Sequence, residues 1–416
     1  MKGSILLLAG GGPAPGINTV ISSVAKVFLR DGYRVIGLHD GYKNLFTENP
    51  STIDIDFEMA DRVFSMGGSM LRMSRYKPAD LEFKTNFFVK NNVKLLVTVG
   101  GDDTASTANR ISKFLTERKF PIQNIHVPKT IDNDLPLPEN ERTFGYETAR
   151  AVGANLVQNL MEDAKTTGRW YVIVAMGRHA GHLALGIGKS SGATVTVIAE
   201  EFPAGHIPFH GVCDILEGAM LKRCVRGQTH GVAILAEGIA ERFSEEDLGK
   251  LGRIERDGYG HLRLAEVDLG KIVKDELTRR FAARGEKITL VSKDIGYELR
   301  CAPPVAFDCE YVRELGYGAV KFLFDIAPKR RMLGGLVCII GGKLQPIPFH
   351  KMLDPKTHKT RVRMVDIHTE AYEVARRYMI RLEPEDFADA RQLAVLAAAA
   401  KMTPKEFRAR YGYLGK

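Results

Sequence analysis

The chain holds only five cysteines in 416 residues, at positions 213, 224, 301, 309 and 338. They form no Cys-x-x-Cys pair and their count is odd, which argues against a disulfide framework or a cysteine zinc site and for a reducing compartment. Long apolar runs are also missing: none approaches the roughly 18 residues that span a bilayer, so no membrane partner is expected. The opening Met1–Gly10 is apolar but short, and it leads into a glycine-rich loop. It reads as a strand entering a loop rather than as a signal peptide, and a cytoplasmic protein is expected. Charge of one sign is nowhere concentrated. The 59 Lys+Arg against 50 Asp+Glu leave a net +9 with no long like-charged block, so no nucleic-acid partner is expected.

What remains, 44% hydrophobic and 26% charged residues, suits ordinary globular cores, and the length suggests two or three domains. Short β-branched runs predict buried strands at 4–9, 34–38, 94–99, 122–127, 171–175, 195–198, 232–236 and 288–291. Helical patterns lie between several of them, as where Ala149, Val152, Leu156 and Leu160 share a face. Strands alternating with helices predict α/β architecture with a largely parallel sheet, and Pro136 and Pro138 mark a domain crossing near residue 145. The tail from Ile367 to Gly412 reads as helical and, like the rest of 351–416, as peripheral to the chemistry.

Five glycine-rich or polar loops directly follow predicted strands, where open α/β sheets bind their ligands. Gly10-Gly11-Gly12-Pro13-Ala14-Pro15-Gly16-Ile17-Asn18 joins a strand to a helix whose N-terminus could face an anion. It is no Walker A loop, because Ile17-Asn18 stands where Lys-Ser/Thr is needed, and Gly188-Lys189-Ser190 lacks its first glycine. Gly100-Gly101-Asp102-Asp103-Thr104 suits a Mg²⁺ ion beside phosphates, although either aspartate could instead cap a helix. Lys129 is the expected cation that offsets this acidic pair. In Thr130-Ile131-Asp132-Asn133-Asp134 two carboxylates two residues apart could supply a base and its support, or merely a capped turn. Met176-Gly177-Arg178 and Glu237-Gly238 complete the set. His179 and His182 lack a matching carboxylate in sequence and read as structural rather than as zinc ligands.

GGGPAPGIN, GGDDT, PKTIDND, MGRHAGHLALG, AEG and GYELRCAPP, in this order, closely resemble the phosphofructokinase A superfamily. The likeness covers nearly the whole chain, including the DPKTHKTRVR run at 354–363, and is strongest to the superfamily's pyrophosphate-dependent branch. It implies two Rossmann-like three-layer α/β/α domains with the active site in the cleft between them. One would span 1–145 completed by part of 299–350, the other 146–298, with a mostly helical extension over 351–416. It implies phosphoryl transfer from pyrophosphate to the 1-hydroxyl of fructose 6-phosphate, reversibly, with Mg²⁺.

Carried over motif by motif, the resemblance makes Asp132 the proton acceptor, with Thr130, Asp134, Lys129 and Arg178 also catalytic. Asp102 becomes the metal-associated aspartate. Gly11, Asp103, Thr104, Lys129 and Arg75 would face the donor. Thr130, Ile131, Asp132, Met176, Gly177, Arg178, Glu237, Tyr297, Glu298, Leu299 and Arg300 would face the sugar phosphate. Arg169 would reach the sugar phosphate of a neighbouring subunit, which implies a homodimer or homotetramer. Tyr297 stands where many ATP-using relatives have His, and a second family arginine upstream of it has no clear counterpart, Lys293 being the nearest cation.

Donor choice turns on Asp103 and Lys129, where ATP users typically carry glycine at both places. A carboxylate against a nucleotide's α-phosphate repels it, and pyrophosphate has no such group. The alternatives are an ATP-dependent or mixed-donor phosphofructokinase, a NAD or lipid kinase, and a catalytically silent regulatory subunit. Kinases of the second kind lack TIDND with MGR, and the presence of Asp102, Asp132 and Arg178 argues against the third.

Overall fold

The computed structural model describes residues 2–120, 122–138, 141–249, 267–330, 332–352, 356 and 361–415. They form two compact units, one of residues 1–149 with 297–363, the other of 150–296 with 364–416.

The first unit is built on a seven-stranded sheet in the order β11-β10-β5-β4-β1-β2-β3. Its strands are β1 (Ser4–Ala9), β2 (Arg34–Leu38), β3 (Thr52–Asp54), β4 (Val93–Gly100), β5 (Gln123–Pro128), β10 (Gly334–Ile340) and β11 (Lys343–Ile347). The inner ladders are parallel, and the edge strands β3 and β11 run antiparallel to their neighbours. β1 shows why an unbroken apolar run can form a central strand. Ile5 and Leu7 enter one core with Val97, Ile125 and Phe28, while Leu6 and Leu8 enter another with Ile36, Leu38 and Phe88. Successive side chains alternate faces, and both faces are covered. Each such side chain, fully buried, contributes about 1.5–3 kcal/mol.

The second unit carries a four-stranded, all-parallel sheet in the order β7-β8-β6-β9. It comprises β6 (Trp170–Ala175), β7 (Val195–Val197), β8 (Gly231–Ala236) and β9 (Leu290–Ile295). Trp170 is fully buried in its core, against Gly231, where any side chain would collide with the indole.

Several expectations need correction. β3, β10 and β11 were not foreseen. β9 begins two residues later than predicted, because its register is set by Trp170 facing Leu290 and Ala175 facing Ile295. The helix Tyr146–Thr167 exists, but Val152, Leu156 and Leu160 are only half-buried, and the buried positions are Tyr146, Glu147, Thr148, Ala149, Gly153, Ala154, Val157 and Ala164. The stretch 351–416 is not one extension. Residues up to 363 belong with the first unit, while the helices from Glu370 onward pack on the second.

Two kinds of contact dock that tail. Leu382, Phe387, Leu393, Leu396, Phe407 and Tyr411 form a core with Leu221. Lys222 pairs with Asp386 at 2.6 Å, Arg381 with Glu201 at 2.8 Å and Arg410 with Glu217 at 3.0 Å. Of the DPKTHKTRVR run, only Lys356 and residues 361–363 lie among the described residues. Among the described residues no helix is long and apolar enough to cross a membrane.

Candidate active site

The predicted loops separate into two groups. Those after β1, β4 and β5 stand at the carboxyl end of the first sheet, and those after β6 and β8 at the carboxyl end of the second.

In the first unit, Gly11 takes φ +83 and donates its N–H to the Ser74 carbonyl at 2.9 Å, which runs the 74–77 segment alongside the glycine loop. Gly12 has to lack a side chain, since a Cβ there would lie 1.9 Å from an Arg300 nitrogen. Thr104, expected to face the donor, is 4% exposed and packs against Gly10 and Gly100. It joins the glycine-rich loops after β1 and β4 from inside instead of lining them. The N-terminus of the helix Ile17–Arg30 is likewise closed off, because Gly16 packs on Val312 and Phe144 and Asn18 ties down Met66, Gly67 and Met70. The half-exposed part of this loop is Gly11-Gly12-Pro13.

The helix Asp102–Glu117 starts directly after Gly101 with no side-chain cap, so Asp102 and Asp103 are its first two residues and not caps. There the helix dipole favours their negative charge. Asp103 pairs with Lys77 at 2.7 Å, both half-exposed. Lys77, which was not foreseen, is thus a cation at Asp103. Lys129 is buried at the end of β5, its N–H donating to the Gly100 carbonyl at 2.8 Å.

Thr130, Ile131, Asp132 and Asn133 are all buried. The Thr130 hydroxyl accepts the Asp132 N–H at 3.1 Å, and the Thr143 hydroxyl donates to the Thr130 carbonyl at 3.0 Å. Asn133 adopts φ +56, which turns the chain sharply between the two aspartates. Desolvation first, then the negative fields of Asp132 and Asp102, push the Asp134 carboxyl up to about 7; its own backbone and the Thr130 hydroxyl act in the opposite direction. The negative field of Asp132 and Asp102 at the Asp134 carboxyl marks an oxygen-rich, acidic place whose chemistry suits a hard divalent cation. Among the described residues no three His, Cys, Asp or Glu side chains form a ready-made metal cage. A cation here would take its remaining ligands from water and substrate phosphates, as Mg²⁺ commonly does.

Tyr297–Arg300 forms a short helix that belongs to the first unit, as do Thr130, Ile131 and Asp132, and not to the second, which bears Met176, Gly177, Arg178 and Glu237. Tyr297 and Glu298 are exposed and Leu299 is fully buried. Arg300 lies 5.5 Å from the Tyr297 ring centre and reaches the Pro13 carbonyl at 3.4 Å. Burial, then the neighbouring Arg75 cation, depress the Arg300 pKa. Two guanidinium groups in mutual repulsion beside a glycine loop form a site that an anion stabilises.

In the second unit, one oxygen of Glu237 accepts the N–H groups of Gly177 and Arg178 at 2.9 and 2.7 Å. Burial raises the Glu237 pKa, and those two donors oppose it. Glu237 thus shapes the 176–178 loop, in which Met176 is half-buried and Arg178, at φ +47, is exposed. His179 pairs with Glu241, in keeping with a structural histidine. Arg169 lies 3.8 Å from Asp163 at the opposite end of β6 from Met176. Lys293 is exposed on β9.

A second unforeseen residue supports the loops from inside. His126, on β5 and wholly buried, shares hydrogen bonds with the Thr98 hydroxyl at 2.8 Å and the Gly100 carbonyl at 3.0 Å. Burial pushes its pKa down from 6.5 to about 3, so it is neutral when folded. The unfolded chain therefore binds a proton that the folded chain refuses. Stability from this group is complete above pH 6.5 and falls with decreasing pH until about pH 3. Between pH 6.5 and 5 the loss is about 2 kcal/mol. Denaturant midpoints at the two pH values should separate more in the parent chain than in His126→Gln; equal separation would refute this.

Residues 4–323 match the family model described as phosphofructokinase. The chain is 50% identical over 412 residues to a Thermotoga maritima protein named pyrophosphate–fructose 6-phosphate 1-phosphotransferase, covering 97% of both chains. It is 45% identical over 422 residues to a Naegleria fowleri protein of the same name, covering 98% of this chain and 95% of that one. Its fold matches the crystal structure of a pyrophosphate-dependent phosphofructokinase from Nitrosospira multiformis with a TM-score of 0.67 at 20% identity, over 91% of each chain.

Proposed function

The chain belongs to the phosphofructokinase family, and from that premise we propose that it transfers a phosphoryl group from pyrophosphate to the 1-hydroxyl of fructose 6-phosphate. The sugar oxygen forms the new P–O bond, the P–O–P bridge breaks, and phosphate leaves. The reaction runs in both directions, because bridge and ester phosphates are similar in energy. Two relatives alike over nearly their whole length carry this activity in their names. The single observation that carries the donor assignment is Asp103 at the start of its helix, salt-bridged to Lys77, with Lys129 buried at the next strand end.

In this reading Asp132 takes the hydroxyl proton, oriented through its N–H bond to Thr130. Asp134 has the raised pKa of a group that shares charge with Asp132. Arg75 and Arg300 face phosphate oxygens beside Gly11 and Gly12, and Lys129 supplies a positive field to the donor. Asp102, with Asp132 and Asp134 near it, would hold Mg²⁺, which when bound neutralises phosphate charge. Met176, Gly177 and Arg178, held by Glu237, contact the sugar phosphate.

Arg169 serves a neighbouring copy. It precedes β6 and Met176 follows it, so the six-residue strand separates them by roughly 20 Å at about 3.3 Å per residue. The active protein is accordingly a homodimer or homotetramer, working in the cytoplasm. An assay that offers pyrophosphate and ATP at equal concentration with fructose 6-phosphate tests the whole assignment. Turnover with pyrophosphate should dominate, and preferential use of ATP would overturn it.

A further inference from the structure

The loop that carries Asp132 and Asp134 is gripped by a residue from far along the chain. Arg363 lies beyond residues 4–323, the part matched by the family model, in a stretch whose sequence read as peripheral. Its backbone N–H donates to the Asp134 carbonyl at 2.7 Å. Its Nε and one terminal nitrogen both donate to the Asn133 carbonyl, at 3.0 and 2.9 Å, and that nitrogen also reaches the Asn133 side-chain oxygen at 2.5 Å. The other terminal nitrogen donates to the Glu141 carbonyl at 2.6 Å. One guanidinium fork thus joins both ends of the 133–141 stretch, and the same Asn133 side chain accepts the Thr143 N–H at 3.1 Å.

We infer that Arg363 is a positioning residue for the transfer reaction: it holds Asn133 in its left-handed turn, so that Asp132 and Asp134 are presented on a rigid loop. The physical need is specific. A non-glycine residue at positive φ persists only where its surroundings hold it. Asn tolerates that region, and here its two acceptor groups are both taken by the fork. Charge-assisted bonds to a carbonyl are stronger than neutral ones and fix direction as well as distance. Arginine suits the task because its donors diverge in a plane, whereas lysine could satisfy one carbonyl at a time. Burial depresses the Arg363 pKa while Asp134, Tyr146 and Tyr311 support its charge, in line with a cation kept inside to organise the loop. Without the fork the turn can relax, and a displacement of about 1 Å at a catalytic group costs about 10²-fold in rate.

This inference rests on the proposed reaction for its kinetic readout but not for its structural one. Arg363→Met should lower kcat by about 10²-fold with KM for both substrates within about threefold. Arg363→Lys should fall between that variant and the parent, and millimolar guanidinium should restore part of the turnover of Arg363→Ala. Arg361→Met serves as the control, since Arg361 is exposed and its side chain donates to the Lys351 carbonyl at 3.0 Å. Hydrogen–deuterium exchange should rise over residues 130–135 in Arg363→Lys and stay unchanged over β1. Unchanged exchange in that loop, or a kcat for Arg363→Met within about threefold of the parent, would overturn the inference. A parent chain inactive with pyrophosphate and fructose 6-phosphate would instead strike the proposed reaction, and the exchange measurement would still decide the role of Arg363.

Discussion

Asp132→Asn should turn over fructose 6-phosphate and pyrophosphate about 10² to 10⁴ times more slowly than the parent chain, the usual worth of a positioned general base. The amide keeps the shape of the carboxylate and its backbone bond to Thr130, so KM for the sugar phosphate should change little. The same substitution removes the second-largest influence that raises the Asp134 carboxyl, which otherwise titrates at about 7. Stability should therefore rise or stay level while activity collapses, a combination that misfolding cannot produce. Steady-state kinetics beside a thermal melt checks it. Turnover within tenfold of the parent would move the base to another residue.

Asp103→Gly should admit ATP. The Asp103 carboxylate is half-exposed, so its repulsion of a phosphate is worth between about 1 and 4 kcal/mol, the values for two charges at about 4 Å in water and near a protein surface. The pyrophosphate-to-ATP ratio of kcat/KM should accordingly fall by about 5- to 10³-fold. The substitution also removes the 2.7 Å ion pair between Asp103 and Lys77. Turnover with ATP should remain slow, because Lys129 is still buried at the neighbouring strand end. Lys77→Met provides the contrast. It leaves the carboxylate charged and without this partner, so KM for pyrophosphate should rise and ATP should stay excluded. If Asp103→Gly keeps the parent's donor preference in a competition assay, charge at this position does not select the donor.

How much of this was legible in advance depends on the range of the interaction concerned. β1, β2 and β6 could be read within a residue because each is a short apolar run that needs cover on both faces. β9 could not, since Lys293 and Asp294 on that edge strand are exposed and break the apolar signal. β10 and β11 were missed because two glycines open β10 and another two separate the strands, and that pattern reads as loop. Their place in the sheet comes from β5, whose Asn124 faces Gly334 more than two hundred residues later.

The candidate site divides in the same way. Its residue types and their order along the chain were evident from the motifs, because close backbone approach to an anion favours glycine and metal or proton chemistry needs carboxylates, which here stand in short motifs at strand ends. Which way each side chain turns was not. Thr104 looks inward to hold two loops together, Glu237 spends an oxygen on its own neighbouring loop, and Tyr297–Arg300 sits with the first sheet rather than the second.

By itself the sequence determined the parallel α/β architecture, the strand-end loops and the chemical inventory they carry, since these follow from local periodicity and short-range spacing. Only the tertiary structure decided that Lys77 answers Asp103, that His126 supports the Gly100 turn, and that Arg363 clamps the loop of Asp132. Those pairings join positions from 26 to 230 residues apart. No local propensity encodes such a contact, because it exists only once the sheet has brought both partners to the same end.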